Sequence, residues 1–273
     1  MNDPFLIEGP ALIQFSGGRT SAYMLRRILD AHGGTLPPDV IACFQNTGKE
    51  REETLDFVQR CATAWGVHVV WLEYRPEGFE IVSHNSASRA GEPFEALIRK
   101  KQYLPNPVAR FCTIELKIRV SRDFARSLGW DHWSHVLGLR ADEPRRVTKA
   151  ETNRERWENL MPLAEAGISK ADVLAFWAAQ PFDLQLRHGE GNCDICFLKN
   201  MGTAQEIMRH RPDLADWWIA QEALALASKP SGAVFRTDRP SYAKLLDAVK
   251  RQQVFDFGEE DQAIDCLCLE DAS

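Results

Sequence analysis

The stretch from Ala11 to Ser21, ALIQFSGGRTS, decides the fold class. A short apolar run that ends in serine and glycine predicts a buried strand followed by a tight turn. Behind it, Ser21–Ala31 places its apolar side chains at helical spacing. A strand, a glycine turn and a helix in this order are typical of a parallel α/β sheet. Backbone N–H groups, hydroxyls and the positive end of the helix converge at such a turn, which favours an anion such as phosphate.

The first half of the chain repeats this alternation. Strands are predicted over Ala11–Phe15, Val40–Phe44, Val67–Leu72 and His135–Leu139, and helices over Ser21–Ala31, Glu52–Trp65 and about Ile114–Leu128. Strand signals stop near residue 161, and the helices predicted beyond it are Lys170–Ala179, Thr203–His210, Leu214–Ala227 and Tyr242–Gln252. We therefore expect an α/β domain over residues 1–160, with a parallel sheet covered by helices on both faces. A helical C-terminal region follows over residues 161–273.

Composition narrows the class of protein. Of the 273 residues, 44% are hydrophobic and 26% are charged, which excludes a disordered, collagen-like or fibrous chain. The net charge of −6 speaks against a protein that coats polyanions, although it permits a local basic pocket. No apolar run is long enough to span a membrane, and Asp3 and Glu8 stand where a signal peptide would carry positive charge. We expect a cytoplasmic protein with reduced thiols and no membrane partner.

Five of the seven cysteines form a pattern that suggests a metal centre. They are Cys112, the pair Cys193-x-x-Cys196 and the pair Cys266-x-Cys268. Cys43 lies in a predicted strand and Cys61 on the apolar face of a predicted helix, so both are interpreted as core residues. A C-x-x-C pair is what one tetrahedral metal ion or one edge of an iron–sulfur cluster requires. The residues alone leave zinc and iron both open.

Further motifs follow the glycine turn in a fixed order. They are Asn46-Thr47-Gly48 before Glu52-Glu53-Thr54, Phe111-Cys112-Thr113 before Lys117, Gly138-Leu139-Arg140 before Arg145 and Arg146, and the C-x-x-C pair. Together with S-G-G-x-x-S at Ser16–Ser21, they resemble the PP-loop superfamily of adenine nucleotide alpha-hydrolases. Within it they resemble the phosphoadenylyl-sulfate (PAPS) reductase branch. The resemblance covers about residues 11 to 200, and we expect the strand order 3-2-1-4.

The resemblance implies a bound adenine nucleotide, either ATP or a sulfonucleotide, across the carboxyl ends of the strands. We expect its binding residues in the glycine loop and after the second and fourth strands: Ser16, Gly17, Gly18, Arg19, Thr20, Ser21, Asn46, Thr47, Gly48, Arg140, Arg145 and Arg146. Lys117 is a catalytic candidate because it follows Cys112 by five residues and so can face the same pocket. Magnesium is expected only if the nucleotide is ATP.

The resemblance also favours a [4Fe-4S] cluster, with zinc as the alternative. Its ligands would be Cys112, Cys193, Cys196 and Cys268, which leaves Cys266 as the reactive thiol; the reverse assignment of the last two stays open. This chain departs from the family in its tail, where Asp265-Cys266-Leu267-Cys268 replaces a Glu-Cys-Gly ending. It also has Asn46 in place of an aspartate, and only Cys112 where the iron–sulfur reductases have two adjacent cysteines.

Three functions are compatible with these motifs. In the first, a tail thiolate attacks the sulfur of a sulfonucleotide and a thiol reductant completes the reduction. In the second, ATP adenylylates an acceptor and a sulfur donor displaces AMP, which resembles tRNA thiolation and DNA phosphorothioation and makes a nucleic acid the acceptor. The third is a zinc-stapled module that senses nucleotides or binds nucleic acid, which the acidic net charge disfavours.

Overall fold

The structure of the protein is a computed structural model, which describes residues 3–152, 155–187, 189–191, 193–228 and 233–251. One sheet organises it, with the strands β1 (Ala11–Gln14), β2 (Val40–Asn46), β3 (Val69–Arg75), β4 (Gly78–Val82), β5 (Ser134–Val136) and β6 (Glu158–Leu160). Their order is β4-β3-β2-β1-β5-β6. All neighbours are parallel except β3 and β4.

Helices cover both faces of the sheet. They are α1 (Arg19–Ala31), α2 (Glu52–Trp65), α3 (Glu92–Lys101), α4 (Phe111–Thr113), α5 (Arg119–Ser127), α6 (Pro144–Glu151), α7 (Pro162–Glu165), α8 (Lys170–Ala178), α9 (Met201–His210), α10 (Ala215–Ser228) and α11 (Tyr242–Lys250). A π-helical turn, Ile114–Ile118, joins α4 to α5, and a 3₁₀ turn, Pro212–Leu214, precedes α10. Among the described helices, none has both the length and the apolar character that crossing a membrane requires.

The fold class and the order of the four predicted strands are confirmed. Strands β3, β2, β1 and β5 lie side by side in the order 3-2-1-4. The structure adds β4, which returns antiparallel to β3, and β6, which pairs with β5. Both are too short, at five and three residues, to show a clear period in sequence. The predicted fourth strand was also too long, since it ends at Val136 rather than at Leu139.

Alternate residues of β1 pack into different hydrophobic clusters. Ile13 belongs to the cluster that contains Leu25 of α1, Leu55 of α2 and Trp177 of α8. Leu12 belongs to the other cluster, which includes side chains of α5, α9, α10 and α11. The helices beyond residue 161 therefore cover both faces of the same sheet. The division into two regions at residue 160 stays a prediction.

A buried ion pair attaches the segment that contains the cysteine pair to the end of β2. Lys49 Nζ lies 2.8 Å from an Asp194 carboxylate oxygen, and both side chains are less than a tenth exposed. The other Asp194 oxygen accepts hydrogen bonds of 2.7 Å from the Trp218 indole N–H and from the Ile195 backbone N–H. The Asp194 backbone N–H also donates to the Lys49 carbonyl at 2.8 Å. These bonds fix the turn that carries Cys193 and Cys196.

We predict that Asp194→Ala lowers the free energy of unfolding by about 3–5 kcal/mol, because the substitution leaves the Lys49 charge buried without its partner. Urea denaturation of the purified chain measures this loss. Asp216→Ala is the control, since Asp216 is an exposed aspartate on α10. It should change stability by less than about 0.5 kcal/mol. Equal losses in the two variants would contradict the anchoring role of Asp194.

Candidate functional site

The glycine loop closes on itself between β1 and α1. The Ser16 backbone N–H donates to Ser21 Oγ at 3.2 Å, and the two serine hydroxyls lie 3.1 Å apart. Ser21 Oγ in turn donates to the Gly18 carbonyl at 3.2 Å. The loop therefore enters α1 in one defined conformation. The first turn of α1 follows directly, and an anion is stabilised at such a helix N-terminus.

Two glycines of the predicted site have positive φ angles and close neighbours. Gly17 has φ +85°, and a Cβ on it would lie 2.6 Å from Thr54 Cγ2 on α2. Gly48 has φ +75°, and a Cβ there would lie 2.8 Å from Pro93 Cδ. A larger side chain at Gly17 would therefore collide with α2.

The predicted arginines lie in four different environments. Arg19 binds both carboxylate oxygens of Asp183 at 2.8 and 2.9 Å, so its guanidinium attaches the loop to the segment after α8. Arg140 is buried beside the loop, where its Nη1 donates to Thr20 Oγ1 at 3.1 Å. Arg145 is exposed on α6. Arg146 is buried on the same helix and is paired through Nη1 with Glu143.

The residues after β2 connect the sheet to the cysteine pair. Asn46 donates from Nδ2 to Glu73 Oε1 at 2.6 Å, and its Oδ1 accepts the Gly48 N–H at 3.0 Å, so its amide holds the turn. Thr47 Oγ1 donates to Glu50 at 3.1 Å and lies 3.4 Å from the Cys193 sulfur. Glu50 also forms an antiparallel backbone bridge with Cys193. The Asn-Thr-Gly motif therefore contacts the C-x-x-C segment directly.

Two of the predicted metal ligands, Cys193 and Cys196, lie in one turn, in which the Cys196 N–H donates to the Cys193 carbonyl at 3.3 Å. Cys112, Cys193 and Cys196 are all partly buried and pack against one hydrophobic cluster. Burial, with smaller contributions from Glu50 and Cys196, raises the pKa of the Cys193 thiol well above its usual value, while Lys117 and Thr47 act in the opposite direction. Cys266 and Cys268 lie outside the described residues. As predicted for core residues, Cys43 and Cys61 are buried.

Lys117 lies between the cysteine pair and a cavity at the strand ends. Its amino group is 3.4 Å from Glu50 Oε1, and its side chain also lines the cavity. The cavity has a volume of about 240 Å³. Its lining comes from β1, β2, β5, the helical stretch 111–127, α6, β6 and the segments 137–139 and 155–157. The lining residues are Gln14, Gln45, Thr113, Lys117, Ile118, Ser121, His135, Leu137, Leu139, Arg146, Lys149, Ala150, Glu155, Trp157 and Asn159.

Several polar atoms of the cavity wall are buried without a hydrogen-bond partner among the described residues. They are Gln14 Nε2, His135 Nε2, and Nε and Nη2 of Arg146. Each such group costs the fold about 1–3 kcal/mol if nothing satisfies it. The cavity wall therefore combines buried polar side chains with the apolar side chains of Ile118, Leu137 and Leu139.

Sequence reasoning missed Gln14, Gln45, His135 and Trp157 as site residues. One signal was present, because Gln14 is a polar residue at the end of the apolar run ALIQF. The parallel register pairs Leu12 with His135, but that register is a property of the folded sheet. Trp157 stacks on His135 with ring centres 4.7 Å apart, a contact between residues 22 positions apart in sequence.

We predict that His135 makes stability depend on pH. Burial lowers its pKa to about 3, so between that value and its ordinary pKa near 6.5 the unfolded chain binds more protons than the folded one. Stability from this group is complete above about pH 6.5 and falls as the pH drops, by up to about 1.4 kcal/mol per unit. His135→Phe keeps a ring against Trp157 and removes the titration. Unfolding at pH 7.5 and pH 5 should show a smaller loss in the variant; an equal loss would contradict this account.

No protein-family model matches the chain. The nin region protein ORF290 of Escherichia phage lambda is 31% identical over 201 residues, which cover 69% of this chain and 66% of that protein. An uncharacterized protein of Methanocaldococcus jannaschii is 24% identical over 219 residues, which cover 78% of this chain and 41% of that protein. The chain thus spans about two thirds of the phage protein and less than half of the archaeal one.

Two solved structures are similar to parts of the fold. The PAPS reductase of Candida auris in its phosphate complex is 17% identical and covers 67% of this chain and 83% of its own, with a TM-score of 0.41. The U34-tRNA thiolase NcsA of Methanococcus maripaludis with its [4Fe-4S] cluster is 13% identical and covers 94% and 79%, with a TM-score of 0.44. At these values neither neighbour's substrate nor its cluster transfers to the chain. The structure itself shows an α/β fold with a mostly parallel sheet and a glycine loop between β1 and α1.

Proposed function

We propose that the chain is a PP-loop enzyme that binds an adenine nucleotide at Ser16–Ser21 and performs reductive sulfur chemistry beside its cysteines. The observation that carries this proposal is the position of Lys117. Its side chain lines the strand-end cavity and is paired with Glu50, whose backbone bridges to Cys193. The Lys117 side chain therefore lies next to both the cavity and the segment that carries the thiol pair.

We assign nucleotide binding to the Ser16–Ser21 loop and to Arg140. The loop presents the first turn of α1, and Arg140 places a buried guanidinium against Thr20. Asp142 and Glu143 are paired with Arg140 and Arg146, so in this arrangement these carboxylates balance arginine charge. We assign Arg140 to the nucleotide's phosphates. Arg19, which Asp183 holds, is assigned to bracing the loop.

We further infer that the cysteine set holds an iron–sulfur cluster, with a closed zinc site as the alternative, because thiolates are ligands of both. Lys117 and Lys199 both act electrostatically on the thiol pair, which suits an anionic thiolate-bound group. With Cys268 as fourth ligand, such a cluster would supply iron and sulfide next to Lys117.

The proposed reaction has two steps. The Cys266 thiolate attacks the sulfur of a sulfonucleotide, the bond from that sulfur to the phosphate oxygen breaks, and the nucleotide leaves with the electron pair. A dithiol reductant then attacks the Cys266 sulfur, releases sulfite and ends as a disulfide. Lys117 stabilises negative charge on the sulfonyl oxygens during the first step.

We expect anaerobically purified protein to release sulfite from phosphoadenylyl sulfate when a dithiol is present. Lys117→Met should lower this rate by about 10²–10³-fold, because it removes a charge aimed at the reacting group. The variant should still bind the nucleotide in calorimetry, since the Ser16–Ser21 loop is unchanged. Lys100→Met is the control, because Lys100 is an exposed lysine on α3.

Two results would overturn the proposal in favour of a stated alternative. Magnesium-dependent formation of AMP and pyrophosphate from ATP, with no sulfite, would indicate adenylylating sulfur transfer. Stoichiometric zinc without iron or sulfide in the anaerobic protein would indicate the zinc-stapled module. Equal rates in Lys117→Met and Lys100→Met would remove Lys117 from the reaction.

A further inference from the structure

One stretch of the chain, residues 99–126, carries a charge opposite to that of the whole protein. It holds eight lysines and arginines against Glu115 and Asp123 as its acids, whereas the 273 residues together carry −6. Lys117 is buried, and the other seven cations of the stretch are at least partly exposed: Arg99, Lys100, Lys101, Arg110, Arg119, Arg122 and Arg126. Residues 99–126 therefore give an acidic protein a local basic surface.

Contacts between α3, the loop after it and α5 join the basic surface into one unit. Lys101 at the end of α3 and Arg119 at the start of α5 both bind Glu115, with N–O distances of 2.7 and 2.8 Å. In the loop, Tyr103 packs edge-on against Phe111 with ring centres 4.9 Å apart. Because one carboxylate serves two cations here, a net positive charge remains where the three parts meet.

The basic surface also exposes apolar side chains. Val108 is 96% exposed, Ile114 47% and Tyr103 39%. The loop fixes the position of Val108, because Asn106 Oδ1 accepts the backbone N–H groups of Val108 and Ala109 at 3.0 and 2.8 Å. A partner that fits this surface therefore carries both negative charge and apolar groups.

The C-terminal residues 252–273 have this composition. They contain seven aspartates and glutamates and no lysine, arginine or histidine. Their large apolar residues are Val254, Phe255, Phe257, Ile264, Leu267 and Leu269. This tail lies outside the described residues, and its sequence is complementary to the basic surface both in charge and in apolar character.

The tail is attached on the side of the sheet that carries the basic surface. Helix α11 ends at Lys250, and its Leu246 and Val249 belong to the same hydrophobic cluster as Leu104 and Phe111. Ten extended residues span up to about 33 Å. This reach exceeds the radius of gyration of about 19 Å that is typical of a compact chain of this length. A tether of this kind gives the tail an effective concentration of about millimolar at nearby surfaces.

We propose that residues 254–261 of the tail dock on the basic surface of the same chain. Their carboxylates face its lysines and arginines, and their two phenylalanines cover Val108 and Ile114. A free polyanion such as a nucleic acid matches the charge as well, but it must compete with a segment that is tethered nearby. The docking depends on acidic and aromatic residues, so it holds whichever reaction the cysteines perform.

Photocrosslinking on the full chain tests the docking. The photoreactive residue p-benzoylphenylalanine replaces Val108, whose exposure makes the substitution compatible with folding. After irradiation, mass spectrometry identifies the crosslinked peptides. We expect crosslinks to residues 252–273 of the same chain, with a yield that does not depend on protein concentration. The yield should fall several-fold between about 50 and 500 mM salt, because salt screens exposed charges.

Two controls lie on helices that pack in the other hydrophobic cluster. Leu174 is an exposed apolar residue of α8, and p-benzoylphenylalanine at this position should give no crosslink to the tail. Arg119→Glu, added to the Val108 variant, should lower tail crosslinking several-fold because it reverses a charge of the basic surface. Arg60→Glu should leave the yield unchanged, since Arg60 is exposed on α2.

The docking would be overturned by an absence of tail peptides at Val108, or by equal tail yields at Val108 and Leu174. Crosslinks between two chains that increase with protein concentration would overturn it in favour of a second copy. Crosslinks to an added single-stranded oligonucleotide, with no tail peptides when it is omitted, would overturn it in favour of a nucleic acid. Because the crosslink needs neither nucleotide nor sulfite release, failure of the docking and failure of the proposed reaction are observed separately.

Discussion

The parallel pairing of β1 with β2 on one side and β5 on the other is the constraint on which the site depends. Parallel strands place their carboxyl ends at one edge of the sheet, so the loops that follow them meet there. This is why the glycine loop after β1, Thr47 after β2 and Arg140 beyond β5 converge although about 90 residues separate the last two. An antiparallel arrangement of the same strands would send alternate loops to opposite edges.

A second constraint is the attachment of the C-terminal segment to that edge. The Glu50–Cys193 bridge and the Lys49–Asp194 pair act on consecutive residues, so they fix both the position and the direction of the C-x-x-C turn. Tyr242 of α11 strengthens the same turn by donating to the Ile195 carbonyl at 2.6 Å. Because backbone bonds and buried charge hold the turn, the protein's own contacts set its position beside Thr47 and Glu50.

The sequence predicted those features whose pattern lies within a short stretch of the chain. The glycine loop and the four core strands carry their signals within ten or fifteen residues, and their order was predicted. The proximity of Thr47 to Cys193 joins residues 146 positions apart, and no local pattern predicts it. No local pattern predicts the partner of Arg19 either. Its position in the glycine loop suggests a phosphate ligand, whereas in the structure Asp183 binds its guanidinium. Side-chain partners are set by tertiary packing, whereas strand and turn chemistry is set by neighbours in the chain.

The cavity wall contains buried polar side chains whose hydrogen bonds are incomplete. Buried side chains in a stable core satisfy their donors, as Gln45 does when its amide donates to the Cys43 sulfur at 3.2 Å. Gln14 and Arg146, on the same cavity, do so only in part. If these residues served packing alone, apolar side chains of similar volume would serve better, because burying them leaves no donor unpaired. Buried polar atoms without partners also occur away from the cavity among the described residues, as at Tyr74 and Trp133, so the position of the cavity at the strand ends, more than the cost of its wall, makes it a candidate site.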